Sequence, residues 1–146
     1  MDASSLNLLQ RVIALGARSL LQYITDSSPW ATERTHEALT DIFAMARQER
    51  SEVGSLIRYQ LKHHISPGPL ESYPAHFTLM NFVTVEYLLP KLADDASAQI
   101  AEIEKSLNAV EDEEVRSLIV SYVQMKQHHL QRLQELSKTY QETAVA

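Results

Sequence analysis

The chain has 146 residues, with 19 acidic against 13 basic side chains, a formal charge of −6 and no cysteine. That length fits one domain whose core needs no covalent staples, and the lack of thiols excludes disulfides, thiolate metal sites and cysteine nucleophiles. The scattered, outnumbered Lys and Arg argue against a general nucleic-acid role, because a phosphate binder needs a basic patch.

No run approaches the roughly 20 apolar residues of a membrane span. Residues 1–11 lack the basic start and apolar stretch of a signal peptide, so a cytoplasmic location is the expectation.

The first predicted helix covers residues 5–25. Leu6, Leu9, Ile13, Gly16, Leu20 and Ile24 form one stripe, and Arg11, Arg18 and Gln22 fall on the far side. Thr25-Asp26-Ser27-Ser28 stops it. Ser28 before Pro29 then signals the start of a second helix over 29–64. Its stripe is Leu39, Ile42, Ala46, Val53, Leu56 and Leu61, with Gly54 the expected place for a break. A Pro/Gly link at 66–69 leads to a third helix over 74–111.

Between Phe77 and Leu92 this third helix reads apolar on nearly every side. That is the mark of a segment wrapped by neighbours or by a second subunit. Pro90 is expected to kink it. Asp112, Glu113 and Glu114 open a fourth helix over 113–137, followed by a fraying tail. The expected architecture is all-α: a single-domain antiparallel four-helix bundle made of two hairpins.

Ionisable residues that interrupt the stripes are the candidates for chemistry. Glu49 and Arg50 flank the stripe of the second helix, with Gln60 further along. His129 sits within the stripe of the fourth, Lys126 lies at its edge, and Glu86 is embedded in the apolar part of the third. The simplest reading makes Glu49, Arg50 and Lys126 boundary residues, stems on the core and heads in water. His129 then reads as a hydrogen-bonded core histidine.

The sharper reading is a metal site at mid-bundle, since carboxylates and imidazoles from facing helices hold metals in such folds. Glu49 and Glu52, at i and i+3, would cooperate, with Glu86 and His129 as further ligands. A haem with His129 or His76 as axial ligand is a third reading. The sequence contains no nucleophile elbow, phosphate-cradling loop, zinc-protease motif or EF-hand, so no catalytic residue is assigned and no cofactor is expected.

Two hairpins with the longest link between them resemble the ferritin-like, or rubrerythrin-like, superfamily. So does the run Ala46-Arg47-Gln48-Glu49-Arg50-Ser51-Glu52-Val53-Gly54-Ser55-Leu56, which is similar to that family's second-helix Glu-x-x-His pattern. The resemblance implies a ferritin-like shape and casts Glu49 as a bridging carboxylate, with Glu52 where the family has histidine. The fourth helix offers His128 and His129 but has Met125 or Lys126 three residues before them. The first helix supplies no carboxylate between Ala3 and Thr25, and Gln22 points outward on the wheel.

The implied protein keeps the shape without a competent di-iron centre. Its expected role is a non-catalytic module that forms a homodimer or binds a partner protein through the stretch from Phe77 to Leu92. The alternative is a divergent ferritin-like protein that binds iron or manganese through Glu49, Glu52, Glu86 and His129.

Overall fold

The computed structural model describes residues 1–27, 29–68 and 72–145, with side chains as far as Gln141. Among these residues the fold is all-α. It has five α-helices: α1 (Ala3–Ala17), α2 (Leu20–Ile24), α3 (His36–Lys62), α4 (Val85–Leu107) and α5 (Glu113–Val145), with a 3-10 helix at Ala75–Met80 before α4. None of them is long and apolar enough to cross a membrane.

The first predicted helix is broken in two. Asp2 caps α1 through the Ser5 N–H at 2.9 Å, but the chain leaves helical geometry at Arg18 and Ser19. Ser19 caps α2 by accepting from the Gln22 N–H at 3.2 Å. Two side chains of α4 satisfy the exposed backbone groups of the break. Asp95 Oδ2 accepts the Leu20 N–H at 3.0 Å, and Gln99 Nε2 donates to the Leu15 carbonyl at 2.9 Å. A helix interruption leaves orphan donors and acceptors, and α4 meets one of each here.

The predicted start of the second helix at residue 29 is also corrected. Its cap, Ser28, lies outside the described residues. Trp30 is extended because its N–H donates to the Val83 carbonyl at 2.9 Å and its carbonyl accepts the Val85 N–H at 3.0 Å. This parallel bridge to the segment before α4 delays α3 until His36. The helix then runs unbroken through Gly54.

The third helix is shorter than the pattern suggests. Residues 75–80 are 3-10, Phe82 is left-handed with φ 59°, and Thr84 caps α4 through the Tyr87 N–H at 3.2 Å. The all-round apolar reading thus superposed two elements with different faces. Phe77 and Met80 enter the core from the 3-10 helix, and Val85, Leu88, Leu89 and Leu92 enter it from α4. Pro90 sits inside α4, where it withholds the N–H due to the Glu86 carbonyl.

The tail expected to fray from residue 137 is helical instead. Leu136 is buried. Tyr140 packs on the core, bonds the Arg34 carbonyl at 3.2 Å and lies under the Arg34 guanidinium, 5.6 Å from the ring centroid.

The buried side chains form two clusters. One joins α2, the N-terminal halves of α3 and α4, and the C-terminal half of α5. The other joins α1, the C-terminal halves of α3 and α4, and the N-terminal half of α5. Helices α3 and α4 therefore run in the same sense, with α5 opposed to both. The link from residue 63 to 84 must return along the length of the molecule. At about 3.3–3.6 Å per extended residue it reaches easily past α4, which at 1.5 Å per residue is about 35 Å long.

The helical glycines differ in what surrounds them. A Cβ on Gly16 would lie 2.5 Å from Val53 Cγ2 and 3.0 Å from the Tyr122 hydroxyl, whereas one on Gly54 meets only Arg58 Nη1 at 3.4 Å. Both substitutions to alanine improve helix propensity by about 1 kcal/mol. Gly54→Ala should therefore raise stability by about that amount. Gly16→Ala should lower it by about 1–2 kcal/mol, because overpacking outweighs propensity where α1 meets α3 and α5. Urea denaturation of both variants reads the opposite signs.

Candidate functional site

Between the two apolar clusters lies a polar layer. On α3, Ala46 belongs to one cluster and Val53 to the other, with Glu49 between them. Glu49 is 0% exposed. Its Oε1 accepts from Ser19 Oγ at 2.5 Å and Gln22 Nε2 at 2.9 Å, and its Oε2 accepts from the Tyr122 hydroxyl at 2.9 Å and Lys126 Nζ at 2.8 Å. A carboxylate has about four lone-pair sites, and all four are taken. Lys126, 2% exposed, completes an ion pair sealed from solvent. Burial, reinforced by the Glu49 charge, holds the Tyr122 phenol well above its usual range, so it stays a donor.

The boundary reading is thus corrected for Glu49 and Lys126, which lie wholly inside, and holds for Arg50, which is exposed. Arg50 donates to Gln22 Oε1 at 3.2 Å, while Gln22 Nε2 also donates to the Ala46 carbonyl at 2.7 Å. Gln22 was expected to face outward. Continuing the phase of α1 does put it there, but the break at Ser19 resets the rotation of α2 and turns Gln22 into the core.

The four candidate metal ligands have separate environments. Glu49 is bonded as described. Glu52 accepts from the Ser121 hydroxyl at 3.3 Å on the protein's flank. Glu86 is half-buried in the first turn of α4. The buried His129 holds Gln48 Oε1 at 2.8 Å through Nε2, and its Nδ1 has no partner among the described residues. Desolvation, with the nearby Lys126 charge, lowers its pKa to about 4, so the imidazole is neutral. Among the described residues, no three His, Asp or Glu side chains come together in a group able to hold a metal ion.

Asp95 is the layer's member on α4. It is half-buried, and desolvation raises its pKa despite the bond from the Leu20 N–H and the proximity of Lys126. Reading the sequence missed Ser19, Gln22, Tyr122 and Asp95. Tyr122 and Lys126 at i and i+4 were the one local hint, since that spacing puts both on a single helix face. Chemically the arrangement fixes charge and donors in place and admits no substrate to Glu49. Compared with family models, curated proteins and solved structures, the chain matches none.

Proposed function

We propose that the protein is a non-catalytic helical module that self-associates, or docks on a partner protein, through the segment from Phe77 to Leu92 together with Trp30. In this reading the helices form a four-helix bundle on a ferritin-like path, with α1 and α2 acting as one arm. The shared direction of α3 and α4 and the returning link between them support that path. The filled lone pairs of Glu49 support the absence of a di-iron centre.

The observation that carries the reading is the placement of exposed apolar side chains. Trp30 is 67%, Leu79 72% and Phe82 72% exposed, and Tyr87 is also exposed. All lie in residues 79–87 or are bridged to them by backbone. Large apolar side chains gathered on a surface mark interaction sites. Phe82 adds a second reason, because a bulky residue in the left-handed region costs about 1–2 kcal/mol and strain of this kind gathers at functional positions.

The test uses Trp30, the single tryptophan. Light scattering should show a dimer at micromolar concentration, with Trp30 emission shifting to shorter wavelength as association buries the indole. Phe82→Gly should shift the protein to monomer. Its stability should stay level or rise by up to about 1 kcal/mol, as relief of strain outweighs the entropy of glycine. A wild-type protein that stays monomeric with invariant emission rules out self-association through this surface.

A further inference from the structure

We infer that the cleft beside the α1–α2 break binds a small aliphatic α-amino acid, its carboxylate on Arg18 and its ammonium on Asp95. This site is independent of the association surface proposed above. The cleft has a volume of about 280 Å³ and is lined by Arg18, Asp95, Gln99, Leu15, Pro74 and Phe77, among others. That is near the lower limit of small-molecule sites, about 300–1,000 Å³, which favours a compact ligand over a large cofactor.

Two opposite charges line the cleft without pairing. The Arg18 guanidinium has no ion-pair or hydrogen-bond partner among the described residues. Asp95 engages the Leu20 N–H through Oδ2 alone. The third charged group on the cleft, Arg11, is already paired with Glu102 at 2.5 Å, and away from it Arg132 pairs with Asp41 at 2.8 Å. A zwitterion offers each of the two groups a counter-charge, and a charge-assisted bond to each is stronger than a neutral one.

Gln99 is a further observation at the same place. It is 5% exposed, its Nε2 is committed to Leu15, and its Oε1 has no partner among the described residues. A buried acceptor without a donor calls for an explanation, and a ligand ammonium beside Asp95 would supply one. Leu15, Pro74 and Phe77 provide the apolar wall for an aliphatic side chain.

The test is an NMR titration of the full chain with L-valine, against isobutylamine and isobutyrate, which keep the aliphatic group but carry one charge each. L-valine should give saturable shifts of the Leu20 amide and the Gln99 side-chain amide. The two single-charge analogues should bind at least about tenfold more weakly. Arg18→Gln and Asp95→Asn should each weaken L-valine by a similar factor, and the asparagine retains an acceptor for Leu20. Circular dichroism and the resonances of α5 serve as the folding control. Absence of saturable shifts up to about 10 mM L-valine overturns the inference. So does isobutyrate or isobutylamine binding as tightly as L-valine, which would make the cleft a site for one charge only.

Discussion

Lys126→Met lowers stability by about 3–5 kcal/mol, the cost of leaving one member of a buried ion pair uncompensated. Glu49 would keep Ser19, Gln22 and Tyr122 as donors but would lose its ion-pair partner, Lys126 Nζ at 2.8 Å. Against a total of about 5–15 kcal/mol for a domain, this is a large fraction. Urea denaturation at pH 7 measures it, and a double-mutant cycle identifies the cause. Glu49→Gln combined with Lys126→Met removes both charges while keeping a side chain that can bond Ser19, Gln22 and Tyr122. The double variant should be more stable than Lys126→Met alone. Equal losses in the two would mean that packing of the lysine stem, not the stranded charge, dominates.

The same pair shows where the sequence was readable. Glu49 interrupts an apolar stripe, and that interruption marks it as a candidate from sequence alone. The helical class and the α5 start at Asp112 followed from local signals, the cap being Asp112 Oδ1 on the Val115 N–H at 3.0 Å. What local signals did not contain was the break after α1. It is held open by Asp95 and Gln99, which lie 75 and 84 residues away along the chain from the groups they satisfy. Without that long-range anchoring, the apolar stripe continues smoothly through Ser19 and carries Gln22 outward.

The region before α4 shows a different failure. Thr84 is a good cap residue, but the apolar residues on both sides concealed it. Pairing of Trp30 with Val83 and Val85 joins residues more than 50 apart and removes that backbone from helix formation. Local pattern therefore recovered the helix type and missed boundaries set by contacts distant in sequence: the break after α1, the starts of α3 and α4, and the extent of α5, whose Tyr140 packs on Arg34. Within the candidate site, Ser19 and Gln22 sit at one of those boundaries, whereas Glu49, Asp95, Tyr122 and Lys126 lie inside long helices. Ser19 and Gln22 belong to the short helix that the break creates, so their role depended on a feature that no local window contains.

His129 should make the protein acid-sensitive over a defined range. In the unfolded chain its imidazole takes up a proton near 6.5. In the folded protein it does so only near pH 4, because burial and the Lys126 charge oppose protonation more than Glu49 favours it. Between these values the unfolded state binds more protons, so lowering the pH favours unfolding. The contribution is fully present above pH 6.5, declines as pH falls and is gone below about 4. Over the whole interval it amounts to about 3 kcal/mol.

His129→Leu removes the titrating group and the unpartnered Nδ1 together, leaving the exposed Gln48 side chain to bond water. The variant should match or slightly exceed the wild type at pH 7, and its advantage should widen steadily toward pH 4.5 in parallel urea titrations. Comparing the two proteins at each pH cancels the ionisable groups that they share. A difference that stays constant from pH 7 to 4.5 would mean that His129 protonates as readily in the folded protein as in the unfolded chain. The layer around Glu49 and Lys126 would then have to open enough to accept a second cation beside the lysine.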